Sequence, residues 1–240
     1  MKKSFLSTAV YALISCVLLA SVLSACSKTS NNTNTQQVSG IMAFNLVPDK
    51  AAGLNLALSN NSLTQSPLLF TSYTGNYLSI YSGNDLVQAY DYTTNNVLTN
   101  TNYTFINNKY YSLFAVGANS VYSNVIVQDN FDSLSSTNGQ AYVRYINAIP
   151  DSTNPKVTVS SNGTNAVSVN ANFKSVSQFV PIAPGQVLVN INNGTSISSN
   201  RTITLEPQKA YTILLIGLPG STDSTTAVQI KFIANGTLGK

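Results

Sequence analysis

The chain has 240 residues, of which 43% are hydrophobic and only 8% are charged, so solubility has to come from Asn, Ser and Thr. Those residues suit turns and exposed strand faces, while the recurring Val, Ile, Tyr and Phe favour strands, so the composition predicts an all-β protein. The formal net charge is +4, but two of the 12 basic residues, Lys2 and Lys3, lie in the leader. The others form no basic cluster, which argues against nucleic-acid binding.

The first 26 residues have the features of a bacterial export signal. Two lysines precede an uncharged, largely apolar run over residues 9–23, and the small residues Ser24 and Ala25 stand directly before Cys26. This ending resembles the lipobox of bacterial lipoproteins, and the resemblance implies cleavage before Cys26 and acylation of that cysteine. An uncleaved membrane helix is the alternative, because the uncharged stretch is long enough to be considered. No basic residue closes the stretch, which favours cleavage.

The predicted signal peptide covers residues 1–25, and residues 26–38 are predicted to be the lipidated cysteine and a disordered tether. Between Ser27 and Gln37 the chain has no apolar side chain to bury, which indicates disorder. Acylation of Cys26 implies stable attachment to a membrane through a lipid anchor. We expect the protein in the cell envelope, at the outer membrane, facing either the periplasm or the cell surface. The only other cysteine lies in the leader, so no disulfide is expected.

The rest of the chain consists of two copies of one pattern. Residues 41–49 resemble residues 142–151 at an offset of 102, and residues 109–117 resemble residues 209–217 at an offset of 100. A nearly constant offset indicates two copies that differ by loop insertions, and the period is far longer than a solenoid repeat, so each copy predicts a domain. The predicted boundaries are 39–131 for the first domain, 132–139 for a polar linker and 140–236 for the second domain.

Each copy contains seven or eight short strand-like segments separated by Asn, Gly, Pro and Ser turns. This spacing predicts an all-β fold of two tandem antiparallel immunoglobulin-like β-sandwich domains. Near the end of the second copy, the alternating sets at 211, 213, 215 and at 212, 214, 216 are both largely apolar. We therefore predict that this strand is central and covered on both faces.

The second copy resembles the family called domain of unknown function 4397. The resemblance rests on the opening segment that ends Ile149-Pro150-Asp151, on the Pro184-Gly185 turn, and on the closing strand that begins Lys209-Ala210-Tyr211. It covers residues 140–235 well and residues 40–131 loosely, because the first copy lacks the Pro-Gly turn and the Lys-Ala-Tyr form. It implies a secreted or lipid-anchored β-sandwich protein, and it implies no activity, no cofactor and no catalytic residues.

Four recurring positions have a structural interpretation. Tyr111 and Tyr211 open the last long strand of each copy, and both are placed like the tyrosine corner of immunoglobulin-like sandwiches, in which the hydroxyl bonds backbone across a turn. Pro48-Asp49 and Pro150-Asp151 mark the end of the first strand in each copy.

The chemistry of most enzymes is missing from the chain. There is no histidine, which removes Ser-His-Asp and Cys-His catalysis and the usual zinc sites. No Ser stands three residues before a Lys in the mature chain, and no Gly-rich phosphate loop precedes a helix. We expect no enzyme, no cofactor and no metal site. A pair of carboxylates remains the one catalytic alternative, with the candidates Asp85, Asp91, Asp129, Asp132 and Glu206.

One asymmetry between the copies points to function. Nine tyrosines lie between Tyr73 and Tyr122, whereas the second copy has three. We predict a hairpin with strands 76–81 and 86–92, in which Leu78, Ile80, Val87 and Ala89 face the core. The opposite face then presents an outward strip of tyrosines, suited to stacking on a sugar or to protein contact. The candidate ligand-binding residues of this strip are Tyr77, Tyr81, Gln88 and Tyr90.

The tyrosines have a structural alternative, in which they pack under a loop, against the other domain, or as cross-strand pairs. The leading functional hypothesis is a non-catalytic binding or adhesion module of the envelope that contacts carbohydrate through the strip. The second hypothesis is a structural partner in an envelope protein assembly. The expected partners are therefore the membrane, through the lipid anchor, and a glycan or an envelope protein.

Overall fold

The computed structural model describes residues 36–135 and 137–239. The predicted signal peptide, Cys26 and most of the predicted tether lie outside the described residues. One compact unit spans Gln37–Lys240. Within the described ranges, no helical segment has the length and apolar character that a membrane span requires.

The first domain contains eight strands. They are β1 (Val38–Leu46), β2 (Leu54–Leu58), β3 (Asn61–Ser62), β4 (Leu78–Tyr81), β5 (Gly83–Asp91), β6 (Val97–Phe105), β7 (Tyr110–Ala118) and β8 (Val121–Gln128). A short 3-10 turn at Phe131–Ser133 follows β8 and leads into the second domain.

The second domain repeats the same eight strands in the same order. They are β9 (Ala141–Asn147), β10 (Lys156–Ser161), β11 (Thr164–Asn170), β12 (Val180–Ile182), β13 (Gly185–Asn192), β14 (Ser198–Leu205), β15 (Lys209–Ile216) and β16 (Gln229–Thr237). Each strand therefore has a counterpart in the other domain, eight places along the series.

Each domain is a sandwich of two four-stranded sheets. In the first domain the inner sheet has the order β4-β1-β7-β8 and the outer sheet has the order β3-β2-β5-β6. In the second domain the inner sheet is β12-β9-β15-β16 and the outer sheet is β11-β10-β13-β14. The identical strand order confirms the predicted tandem β-sandwich fold.

One pairing in each domain is parallel. Strand β1 pairs parallel with β7 and β9 pairs parallel with β15, whereas the other paired strands run antiparallel. The residues gave no sign of this, because side-chain alternation is the same in parallel and antiparallel strands. The parallel pair places the first and seventh strands of each domain side by side in the middle of the inner sheet.

Alternating apolar residues build a core between the two sheets of each domain. The first core includes Leu54, Val87 and Leu113, and the second includes Val157, Val189 and Ile213, all fully buried. A side chain of this size stabilises the fold by about 1.5–3 kcal/mol when it is fully buried. The core face predicted for Leu78, Ile80, Val87 and Ala89 is confirmed, since all four pack into the first core.

A third apolar cluster joins the two inner sheets. Their outward faces carry Phe44 and Phe114 on the first domain and Ile146, Leu214 and Ile216 on the second, and these side chains pack together. The four sheets therefore stack in the order outer, inner, inner, outer. This packing covers the second face of β15, so the prediction that this strand is central and buried on both sides is confirmed.

Both predicted tyrosine corners are present. The hydroxyl of Tyr111 accepts a hydrogen bond from the backbone N–H of Ile106 at 2.9 Å, and that of Tyr211 accepts one from the N–H of Glu206 at 3.0 Å. Both tyrosines are buried, and in each case the donor lies five residues earlier. Each hydroxyl therefore ties the turn before the seventh strand of its domain to the core.

Candidate ligand-binding site

The predicted tyrosine hairpin is wrong as a pairing. Strand β4 pairs with β1 in the inner sheet, whereas β5 pairs with β2 and β6 in the outer sheet, so the chain crosses between the sheets at Ser82. The apolar faces of β4 and β5 point into one core from opposite sides. Alternation shows which residues share a face of one strand, but it does not show which strands are neighbours. The predicted continuous strip therefore divides into two halves on opposite faces of the first domain.

The half on β5 does not form an open contact surface. Gln88 is only 6% exposed, and its side-chain oxygen accepts a hydrogen bond from the backbone N–H of Asn60. Tyr90 is partly buried, and its hydroxyl lies 3.3 Å from the side-chain oxygen of Asn60. Both residues instead hold the turn between β2 and β3 against the outer sheet.

The half on β4 lies on the face of the inner sheet that is turned away from the core of its own domain and toward the second domain. Tyr81 is 62% exposed, and Ser79 beside it is also exposed. Tyr77 lies just before the strand and is half-buried against the second domain. The side chain of Tyr77 therefore lies at the edge of the domain junction, and that of Tyr81 lies outside it.

Tyr77 belongs to a polar network inside the junction. Its hydroxyl donates a short hydrogen bond to Asp129, and the side-chain amide of Asn235 in the second domain lies 3.4 Å from the same hydroxyl. Burial, followed by the negative charge of Asp129, raises the pKa of Tyr77 well above the usual range of a phenol. Tyr77 therefore stays neutral and keeps its proton for Asp129.

The centre of that network is the buried ion pair between Asp129 and Arg144. Asp129 also accepts a hydrogen bond from the hydroxyl of Ser112 at 2.8 Å. Arg144 donates to Ser112 at 2.7 Å and to Thr212 at 2.9 Å, so its guanidinium bonds residues from both domains. The pairing satisfies both charges, which a buried charge requires. Asp129 was one of the candidate catalytic carboxylates. In the structure it is buried at the domain junction and binds Arg144 of the second domain.

The most exposed aromatic ring beside Tyr77 and Phe131 is that of Tyr110, which was not among the residues predicted from the sequence. It is 48% exposed, and its centroid lies 5.0 Å from that of Tyr77 and 6.0 Å from that of Phe131. The ring also lies against Gly40, because a Cβ atom on Gly40 would come within 2.5 Å of the ring carbon Cδ1. Gly40 thus makes room for an aromatic ring that is held in place yet half exposed.

We call the surface formed by Tyr77, Tyr81, Tyr110 and Phe131, with Gly40 and Ser79 between them, the aromatic shelf. Three clefts border it. One of 280 Å³ lies over Gly40 and is lined by Ser79, Tyr77 and Tyr110. It shares Ser79 with a cleft of 550 Å³ beside Tyr81, and it shares Tyr77 and Tyr110 with a cleft of 490 Å³ beside Phe131. The first and third clefts therefore lie side by side at Tyr77 and Tyr110, whereas the cleft beside Tyr81 opens between the two sheets of the domain, where Leu58 and Ile80 also line it.

The polar groups along the shelf are mainly hydroxyls and amides. They come from Ser62, Ser79, Asn108 and Asn235. The one ion pair at its rim joins Lys109 to Asp132 at 2.9 Å, and the hydrogen bond from this lysine to Asp132 raises the pKa of Lys109. Exposed rings flanked by neutral donors and acceptors suit a polar ligand without net charge.

Three of the remaining carboxylate candidates each have a polar partner close by. Asp85 accepts a hydrogen bond from Ser59, Asp91 pairs with Lys50, and Glu206 pairs with Lys209. In the described part of the chain, no group of three or more His, Cys, Asp or Glu side chains is placed to hold a metal ion.

In the second domain, the space that corresponds to the cleft over Gly40 is occupied by a tyrosine side chain. There Tyr142 stands at the position of Gly40 and Ala210 at that of Tyr110. The hydroxyl of Tyr142 accepts hydrogen bonds from the N–H of Ser135 and the side chain of Asn138, and its ring packs with Phe131 and Leu134 of the connecting segment. The sequence contains one signal of this difference. Where the first copy has Gly40 and Tyr110, the second copy has Tyr142 and Ala210.

The fold and these surfaces define a tandem β-sandwich protein with an aromatic groove in its first domain. The family described as Domain of unknown function (DUF4397) matches residues 39–154 and again residues 141–235. The chain therefore belongs to this family, and the resemblance seen in the sequence is confirmed.

Comparison with individual proteins adds little. No curated protein matches the chain. A crystal structure of a proposed cell adhesion protein from Bacteroides eggerthii DSM 20697 is similar at 11% sequence identity and a TM-score of 0.24. That similarity covers 84% of this chain and 96% of the other.

Proposed function

We propose that the protein is a non-catalytic binding module of the cell envelope, whose aromatic shelf holds a neutral carbohydrate. The observation that carries the proposal is the ring of Tyr110, half exposed to solvent and fixed against Gly40 at the meeting point of two clefts. An aromatic ring held in one position loses little conformational entropy when a ligand stacks on it.

A carbohydrate fits the chemistry of the shelf. The C–H face of a pyranose stacks on an aromatic ring, and its hydroxyls pair with neutral amides and hydroxyls. The shelf offers rings at Tyr81 and Tyr110 and neutral polar groups at Ser79, Asn108 and Asn235. The two clefts that share Tyr77 and Tyr110 lie side by side, so the proposed ligand is a short oligosaccharide or a chain segment rather than a single sugar.

A binding role suits the shelf better than catalysis. Among the residues that line its clefts, the acidic side chains are Asp85 and Asp132, and each already accepts a hydrogen bond from a neighbour. They line separate clefts. A glycosidase needs two carboxyl groups about 5–9.5 Å apart on either side of the scissile bond, and this arrangement supplies no such pair.

Attachment to the envelope follows from the leader and from Cys26. Strand β1 begins at Val38, which lines the cleft over Gly40, so the shelf lies at the end of the domain where the chain enters it. The eleven residues from Ser27 to Gln37 would reach about 35 Å when stretched. An acylated Cys26 therefore keeps the shelf close to the membrane surface and to the glycans that cover it.

A role as a structural partner in an envelope assembly is the second candidate. One observation favours it: the cleft beside Tyr81 lies between the edge strand β4 and the two-residue strand β3. An extended peptide can add to such an edge through its backbone hydrogen bonds.

The full chain, purified in detergent, should be applied to a broad glycan array together with the variant Tyr110→Ala. Tyr92→Ala is the matched control, because Tyr92 is 51% exposed but lies at the end of β5, away from the shelf. We expect binding by the parent and the control, and loss of binding in Tyr110→Ala with an unchanged circular dichroism spectrum. Tyr77→Ala is unsuitable, because it removes a donor from the buried network.

A folded parent that binds no glycan on the array would overturn the carbohydrate proposal. Cross-linking in intact cells then tests the assembly role, for which a single stoichiometric protein partner is the expected product.

A further inference from the structure

Strand β6 is an exposed edge without the usual protection. It is the last strand of the outer sheet of the first domain, and among the described residues β5 is its one strand partner. Its nine residues, Val-Leu-Thr-Asn-Thr-Asn-Tyr-Thr-Phe, contain no charge and no proline. Natural proteins commonly place charged residues or proline on such edges, because an open edge is a template for pairing with another chain.

The counterpart strand in the second domain carries that protection. Thr101 pairs with Val87 in the first domain, and Arg201 pairs with Val189 at the same place in the second. Arg201 donates a hydrogen bond to the carbonyl of Ile230 at 2.8 Å, and its guanidinium lies 5.4 Å from the ring centroid of Phe232. An inward-pointing charge on an edge strand opposes the addition of another strand. The first domain has a neutral threonine there.

The middle of β6 has the same residue on both sides of Thr101. Reading outward from this residue, both neighbours are asparagines, Asn100 and Asn102, and Thr99 and Tyr103 follow. Antiparallel pairing with an identical strand, centred on Thr101, sets Asn100 opposite Asn102 of the second copy. Both asparagines are exposed on the outer face of the sheet, so their amides can pair across the junction. In a two-fold contact a residue on the axis lies beside its own copy, and any charge near the axis is brought close to the same charge of the second copy, which an uncharged strand avoids.

We propose that a second copy of this chain pairs antiparallel with β6, joining the two outer sheets of the first domains into one continuous eight-stranded sheet. The occupant is a second copy because β6 carries no charge that would repel its own copy, and because the register centred on Thr101 sets Asn100 opposite Asn102. Strand β8 is also an uncharged edge, but its side chains Val125 and Val127 pack at the domain junction, in the middle of the four layers. Strand β6 lies in an outer layer and has open space on one face.

A single pair of strands makes a small contact compared with the roughly 1,200–2,000 Å² of a stable interface, so we expect a weak dimer in dilute solution. Attachment of both copies to one membrane would raise their effective concentration and favour pairing. The proposal is independent of the aromatic shelf, which lies on the inner sheet.

The test is disulfide cross-linking of the full chain in its native membranes. In the variant Asn100→Cys/Asn102→Cys the proposed register sets the new cysteines of two copies opposite each other, with Cα atoms about 4.5–5.5 Å apart, which a disulfide can bridge. The matched control, Asn200→Cys/Thr202→Cys, places the same pair on β14 and retains every native cysteine. We expect a covalent dimer from the β6 variant under mild oxidation and none above background from the control.

Adding Thr101→Arg to the β6 cysteine variant copies the protection of the second domain. The fold accommodates an arginine at this position in β14, so the variant should fold and yield at least tenfold less dimer. Equal dimer from β6 and β14, no dimer from β6, or a dimer unaffected by Thr101→Arg would each overturn the proposal. None of these results affects the carbohydrate proposal, which rests on the glycan array.

Discussion

The two domains have the same eight strands and the same strand order, yet they use three corresponding positions in opposite ways. The pair Gly40 and Tyr110 of the first domain corresponds to Tyr142 and Ala210 of the second. Met42 corresponds to Arg144, and Thr101 corresponds to Arg201. At the first and third of these places the second domain fills or protects what the first leaves open, and at the second place it puts a buried charge where the first has a buried apolar side chain. The difference teaches that a duplicated framework can assign the contact surfaces to one copy and use the other as a support.

The largest expected effect comes from the buried ion pair, where Arg144→Met gives the second domain the residue of the first. Asp129 would then be buried without its partner, and we expect the free energy of unfolding to fall by about 3–5 kcal/mol. Urea denaturation at neutral pH measures this loss. Lys109→Met, which breaks the exposed pair with Asp132, is the control and should change little.

Adding Asp129→Asn to Arg144→Met removes the unpaired charge and should restore much of the lost stability. If Arg144→Met alone costs less than about 1 kcal/mol, the two domains do not depend on this pair.

The tyrosine corners should behave alike in the two domains. Tyr111→Phe and Tyr211→Phe each leave one backbone N–H without its acceptor, that of Ile106 or of Glu206. We expect each variant to lose about 1–2 kcal/mol of unfolding free energy, measured by the same urea titration. A large difference between the two would contradict the equivalence of the two frameworks.

Gly40→Ala should sharpen the contrast between the open and the filled position. The new methyl group would come too close to the ring of Tyr110, so the ring has to move from its place on the shelf. We expect glycan affinity to fall about tenfold, the equivalent of about 1.4 kcal/mol of lost stacking, with a smaller change in stability. Isothermal titration calorimetry with a glycan selected on the array measures the change, and Tyr92→Ala, an exposed ring away from the shelf, is the control.

The smallest expected effect is the pH dependence of local stability in the loop that follows Asp91, compared with the loop that follows Asn193. The ammonium of Lys50, 2.8 Å away, together with the N–H groups of Thr94 and Thr93, holds the pKa of Asp91 below its usual value. In the second domain the neutral Asn193 accepts the corresponding bonds from Thr195 and Ile197. Because the pKa of Asp91 is lowered by folding, its stabilising effect is complete above the unfolded value of about 3.9 and is lost as the pH falls through the folded value.

Hydrogen exchange compared at neutral pH and at about pH 3, after correction for intrinsic rates, should therefore show loosening around Thr93 but not around Thr195. Asp91→Asn should remove the difference between the loops. A loop at Thr195 that loosens as much as the loop at Thr93 would show that the charge is not responsible.

The sequence alone predicted the features that repeat or that depend on neighbouring residues. The two copies followed from constant offsets, the core face of β4 and β5 from alternation, and the corners at Tyr111 and Tyr211 from their place after a turn. The pairing of β4 with β1 could not be predicted, because the partner strands lie about forty residues apart and alternation does not identify neighbours. The error moved Gln88 and Tyr90 onto a surface they do not share with Tyr81.

The shelf and the buried network were missed for a related reason. Gly40 and Tyr110 are seventy residues apart, and Asp129 and Arg144 belong to different domains, so only the folded chain brings each pair together. In a single sequence, a glycine that accommodates a ring looks the same as a glycine in a turn. Comparing the two copies position by position was the one route to these differences.

The most direct test of the account is to give the first domain the residues of the second with the double variant Gly40→Tyr/Tyr110→Ala. The tyrosine ring would then belong to residue 40 of β1, as the ring of Tyr142 belongs to β9, and it would occupy the cleft over residue 40. We predict a protein with the parent's circular dichroism spectrum and urea midpoint that no longer binds the glycans bound by the parent on the same array. Unchanged glycan binding by the folded double variant would contradict the claim that the open shelf of the first domain is the binding site.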